Sequence, residues 1–168
     1  MEKAIPLAMV GGLAVLFLVL SGIYGGVPVP GGLGEEVAKV RIYVSGVWVH
    51  YGFPGIPDTV SIQSIDYVVE DWYNVLSFLC TSMYPVHGLG DKDDAKIVYE
   101  IYDDSSNKVK EGEVYFKLYH GWKTSFTISG LKPGTYNMKV AVYQKWEMLY
   151  QSSWNLKDTK DVTLDIKK

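Results

Sequence analysis

The sequence predicts a mainly β protein, an antiparallel β-sandwich with a short helical insert, preceded by one N-terminal hydrophobic helix. Three observations carry that expectation. No charge of either sign occurs between Lys3 and Glu35, a stretch of 31 residues. From Val37 to the end, apolar residues recur with a period of two, as half-buried strands require. One segment departs from this: Val69, Trp72, Leu76, Leu79 and Met83 recur at the three- and four-residue spacing of a helix face.

The first element is the apolar run. Residues 4–20, AIPLAMVGGLAVLFLVL, carry only apolar, Gly or Pro residues, and Ser21 to Tyr24 extend the run to 21. At about 1.5 Å per residue this spans roughly 30 Å, the hydrocarbon thickness of a bilayer. Pro6 and Gly11-Gly12 weaken a helix in water but are tolerated in a membrane. Residues 1–24 are therefore expected to be a transmembrane anchor or signal segment in contact with lipid through residues 4–24. Three fates fit: an uncleaved anchor, a secretory signal cut among the small residues between Val19 and Gly26, and processing after Lys3-Ala4, which resembles the archaeal type IV prepilin pattern. A lipoprotein is excluded because the single cysteine is Cys80. Lys3 and the free amine before the run, with Glu35-Glu36 after it, favour the N-terminus inside. Residues 25–34, GGVPVPGGLG, hold five Gly and two Pro, so residues 25–36 read as a linker between membrane and domain.

The 134 residues that follow position 34 hold 15 basic and 18 acidic groups, and therefore the whole formal charge of −3. A chain of that size buries roughly two-thirds of its unfolded surface, enough for one core without staples. A pI near 5.6 without clustered Lys and Arg gives no footprint for nucleic acid. One cysteine forms no intrachain disulfide.

Residues 37–168 are expected to form the sandwich. Val40, Ile42 and Val44 alternate with Lys39, Arg41 and Tyr43, and Gly46 suggests a bulge or bend before Val47 to Val49. Further alternating sets occur at Val60 and Ile62, at Ile97 to Ile101, at Val114 to Leu118, at Phe126 and Ile128, at Tyr136 to Val142, and at Val162 to Ile166. Seven or more short strands at this spacing indicate a sandwich. Turn chemistry separates them: Asp103-Asp104-Ser105-Ser106-Asn107 and Phe53-Pro54-Gly55-Ile56-Pro57-Asp58. The helical stripe, with Asp66, Glu70 and Asp71 near its start and Pro85 and Gly88 beyond its end, predicts a short helix over 70–82.

Residues 123–143, KTSFTISGLKPGTYNMKVAVY, resemble the strand, corner and strand of the immunoglobulin-like β-sandwich in fibronectin type III and prealbumin-like domains. The matching positions are Phe126, Ile128, Leu131, Pro133, Gly134 and Tyr136. The resemblance implies an immunoglobulin-like fold with a structural corner at Leu131, Pro133, Gly134 and Tyr136. Leu131 would enter the core, Pro133 preset the turn, Gly134 accept a positive φ, and Tyr136 pack its ring while its hydroxyl bonds local backbone. It covers about 21 residues, carries no activity, and leaves the self-crosslinking residues of some prealbumin-like domains unplaced, with Lys39 and Asn155 candidates only by elimination.

Catalytic and metal chemistry finds little support. His50, Cys80 and His87 invite comparison with copper sandwiches, but Cys80 and His87 are seven positions apart and Met83 lies between them, which is the wrong order for that ligand set. Asp91, Asp93 and Asp94 suggest calcium, yet Ala95 stands where a ligand is needed, and the turn Gly and closing Glu are missing. There is no G-x-S-x-G, H-E-x-x-H or phosphate loop. No enzyme activity, catalytic residue, metal site or cofactor is expected.

The aromatic residues remain, 21 of them beyond the linker. Most are expected to fill the core or form cross-strand pairs. Tyr and Trp are also enriched at interfaces, so Tyr119, Trp122 and Trp146 are expected to form a contact surface for a protein partner, for self-assembly or for carbohydrate. The expected role is a membrane-anchored, extracytoplasmic structural or adhesive module of the cell envelope, single-pass or secreted to the cell surface. Two alternatives stand beside it: a pilin-like filament subunit with the apolar segment as its core, and an accessory subunit of a membrane enzyme complex.

Overall fold

The computed structural model describes residues 35–74 and 93–168. The apolar segment and its linker, positions 75–82 of the expected helix, and Cys80, His87 and Asp91 lie outside the described residues. Among the described residues no helix is long and apolar enough to cross a membrane. Residues 38–71 and 93–168 belong to one compact unit, while 35–37 and 72–74 fall to a second in which 36–37 and 72–74 are strand.

Seven strands are formed among the described residues: β1 (Glu36–Val49), β2 (Thr59–Asn74), β3 (Ala95–Tyr102), β4 (Lys108–Phe116), β5 (Lys123–Leu131), β6 (Gly134–Met148) and β7 (Gln151–Ile166). They make two sheets, three-stranded in the order β2-β1-β5 and four-stranded in the order β4-β3-β6-β7. The mainly β, antiparallel class is thus as expected. Two local readings differ. Gly46 lies within an unbroken β1, and the register shift falls at Ala38/Lys39. Residues 70–74, expected to start a helix, continue β2 as strand. Glu70 lies beside β1 in this strand: Arg41 donates to its carboxylate and Lys39 Nζ lies 3.7 Å from it.

The core follows from the period-two pattern. Val40, Ile42 and Val44 of β1 face Ile97 and Ile101 of β3 and Met138, Val140 and Val142 of β6, all with essentially no exposed surface. Each such side chain contributes about 1.5–3 kcal/mol relative to an exposed one. Tyr99 and Phe126 stack at 4.8 Å between ring centroids. Trp122, the largest fully buried side chain, packs at 5.0 Å from Phe116 and lies across Gly46. A Cβ on Gly46 would stand 2.2 Å from both the Trp122 ring and the Ser61 carbonyl oxygen, so this strand position admits no side chain.

Strand register fixes the two ends of the sandwich. Ala38 pairs with Leu131, and β6 begins three residues later at Gly134, opposite Ile166. Chain entry, the β5–β6 corner and the end of β7 therefore share one end. Val49, the start of β3 at Ala95 and the β6–β7 turn lie at the other, because Ala95 pairs with Gln144 and Met148 with Gln151. At the corner, Leu131 is buried, Gly134 has φ 158°, and the Tyr136 hydroxyl donates to the Lys132 carbonyl at 3.0 Å. In the turn after β3, Asp103 Oδ1 accepts the backbone N–H groups of Ser105 and Asn107.

Candidate functional site

The end of the sandwich away from Ala38 owes its shape to one hairpin that outruns its neighbours. β3 starts opposite Gln144, so residues 145–154 of β6 and β7 continue as a two-stranded ribbon. Alternation persists along that ribbon while its chemistry changes. The inward face that carries Met138, Val140 and Val142 in the core carries Gln144 and Trp146 beyond it, with Asn155 paired to Gln144 across the hairpin. The β1–β2 loop faces these residues and closes a cleft of about 630 Å³, within the range of small-ligand sites.

Hydrogen bonds anchor the loop across the cleft. Asp58 Oδ1 lies 2.8 Å from His50 Nδ1, and Asp58 Oδ2 accepts from Gln144 Nε2 at 3.0 Å. Lys157 Nζ donates to the Asp58 carbonyl at 3.0 Å. Burial pushes the Asp58 carboxyl up, but hydrogen bonds from Gln144 and His50, the His50 charge and the Tyr51 backbone outweigh it and hold the group below the usual range. Lys145 and Glu147, also at the cleft wall, form an ion pair. Asp94 ties the ribbon base down: its carbonyl accepts the Lys145 N–H at 2.7 Å and its Oδ1 accepts the Leu118 N–H at 2.7 Å. Asp58 and His50, and Lys145 and Glu147, are thus paired, while the Lys157 ammonium is held by a neutral backbone carbonyl.

Beyond the cleft lies an apolar tip. Leu149 and Tyr150 form the two-residue turn of the hairpin and are 90% and 100% exposed, with Met148 and Trp146 half-exposed below them. Leu149 adopts φ 52°, a left-handed conformation that two-residue hairpin loops usually assign to Gly, Asn or Asp. The β1–β2 loop adds Phe53 and Ile56 at the same end, both well exposed.

The expected contact residues divide. Tyr119 and Trp146 are half-exposed at this end, whereas Trp122 is fully buried over Gly46 and serves the core. Cleft residues Asp58, Gln144 and Asn155 were not expected as a site. For Gln144 the signal was the continuation of the β6 alternation past Val142. On the outer face, Trp154 and Tyr115 meet edge-on at 5.7 Å, and Lys96 Nζ sits 5.0 Å from the Trp154 ring and 5.8 Å from the Tyr115 and Tyr143 rings. Glu113 accepts from the same ammonium at 2.9 Å, so the chain's own lysine fills that aromatic patch. His50 and His120 flank Trp48, at 5.5 and 5.9 Å between ring centroids. Among the described residues no group of three or more His, Cys, Asp or Glu could hold a metal ion.

No protein-family model matches the chain, and no curated protein matches it.

Proposed function

We propose that the protein is a membrane-anchored, extracytoplasmic β-sandwich of immunoglobulin-like kind, acting as a structural or adhesive binding module of the cell envelope. The carrying observation is Leu149. A large apolar side chain, 90% exposed, occupies a left-handed backbone position where Gly would cost less. Folding gains nothing from this choice, whereas contact with a partner does. The tip also lies at the end of the sandwich away from Ala38. The anchor reading rests on the 21-residue apolar run.

Two measurements test the proposal. Intact mass of the chain recovered from native membranes is expected to retain residues 1–24; a chain found only without them overturns the anchor. Vesicles carrying the full-length chain are expected to bind isolated cell envelopes, and the double variant Leu149→Ser, Tyr150→Ser to lose at least tenfold of that binding. Equal binding by variant and parent overturns the adhesive role of the tip.

A further inference from the structure

We propose that the cleft between the β1–β2 loop and the β6–β7 ribbon binds a neutral carbohydrate segment. The inference rests on the binding-module reading above and names the class of ligand for a second surface beside the tip.

Charge disfavours an ionic ligand here. An anionic ligand needs cations without partners, and a cationic one needs carboxylates without partners. Here Lys145 is paired with Glu147, His50 with Asp58, and Lys157 with the Asp58 carbonyl. Displacing any of these would cost a made interaction for each new one, so an ionic ligand gains little.

The cleft mixes aromatic and amide surfaces. Trp146 lines the cleft as a half-exposed aromatic, and the Gln144 and Asn155 side-chain amides stand on the same inward face of the ribbon. Gln144 spends an N–H on Asp58 and keeps its carbonyl oxygen as an acceptor. The Asn155 amide is exposed and offers both donor and acceptor. A sugar ring presents a C–H face that an indole can cover and a rim of hydroxyls that each donate and accept, which amides match. A purely apolar ligand would strip water from the amides and from Asp58 without replacing the hydrogen bonds.

Both walls are tied in place. The loop side is fixed by the Asp58 bonds to His50 and Gln144, and the ribbon base by Asp94, so neither wall needs ordering on binding.

The test uses the full-length chain in detergent, titrated with neutral hexose and N-acetylhexosamine oligosaccharides, and with an acidic oligosaccharide as control. Calorimetry and tryptophan fluorescence are the readouts. At least one neutral oligosaccharide is expected to bind with a midpoint at or below the millimolar range, with Trp146→Ala and Asn155→Ala each weakening it tenfold or more. Thermal unfolding of the variants verifies that the fold is intact, since both residues lie beyond the core. Binding by none of the neutral sugars, binding of the acidic control alone, or undiminished binding by both variants would overturn the proposal. The Leu149→Ser, Tyr150→Ser chain separates the two readings, because it is expected to keep sugar binding while losing envelope binding. If envelope binding stays tip-dependent and no sugar binds, only the cleft assignment falls.

Discussion

Asp158 on β7 accepts the backbone N–H of Ile62 on β2 at 2.8 Å, joining the edge strands of two different sheets through one carboxylate. The bond is part of a seam. Lys160 Nζ donates to the Gln63 carbonyl at 2.7 Å, and the Asp165 N–H donates to the Tyr67 hydroxyl at 3.0 Å. On the opposite side Lys110 of β4 donates to the Ser129 carbonyl of β5, and burial there pushes the lysine pKa down. Backbone groups that would otherwise template pairing with another chain are covered by side chains. Replacing Asp158 with Ala is expected to cost about 1–3 kcal/mol by stranding the half-buried Ile62 N–H. Urea unfolding checks the loss, and light scattering checks the accompanying rise in self-association.

Gly46→Ala is expected to be severe. The new methyl meets the Ser61 carbonyl oxygen at 2.2 Å, and a backbone atom cannot swing aside as a side chain can. A cost at or above the upper end of the about 1–3 kcal/mol seen for overpacking is expected. Pairing it with Trp122→Phe should restore only part of the loss, because the carbonyl remains. Thermal unfolding of the single and double variants makes the comparison.

Tyr136→Phe keeps the ring and removes the hydroxyl that reaches the Lys132 carbonyl. The expected loss is about 0.5–1.5 kcal/mol, the usual net worth of one hydrogen bond. A loss within error in equilibrium unfolding would show that the corner is held by ring packing and by buried Leu131 alone.

The Asp58 carboxyl is a stronger acid in the folded protein than in the unfolded chain. Its stabilisation is therefore fully present above the unfolded value of about 3.9 and is lost as pH falls through the lower folded value. Asp58→Asn should be less stable than the parent at neutral pH, with the gap narrowing as pH falls below about 3.9. Thermal unfolding at a series of pH values tests the direction, and a gap that widens on acidification would refute it.

Leu149→Gly should separate stability from contact. Removing a side chain from a left-handed position is expected to stabilise the hairpin by up to about 1 kcal/mol, while envelope binding falls. Hydrogen exchange of ribbon amides and the vesicle assay report on the two effects independently.

Much of this architecture was legible in the sequence because one face of most strands is buried. Val40, Ile42 and Val44, or Met138, Val140 and Val142, announce their strands by alternation alone. The start of the 70–82 stripe is ambiguous in sequence because Val69 and Trp72 also suit a helix face, whereas β2 continues as strand to Asn74. Trp122 looked like surface because it follows Tyr119-His120-Gly121 in a loop. Its burial depends on a space left by Gly46, which lies 76 positions earlier in the chain. The cleft was hidden for a related reason. Polar residues past an apolar run read as a strand's end, and only the register with β7 shows that β6 continues and aims Gln144 and Trp146 along the same face.

The 15 residues of β6 extend from the corner to the tip, a distance of roughly 50 Å at about 3.3 Å per residue. The strand is thus a ruler whose graduations come in pairs. Inserting two residues after Val142 and two opposite them in β7 would carry the tip about 7 Å further out with every side chain still on its own face. A single residue inserted in each strand would instead exchange the places of Gln144 and Trp146 with those of Lys145 and Glu147 on the two faces of the ribbon. Reach in this protein can therefore change by steps of two, while odd steps reverse the two faces of the ribbon.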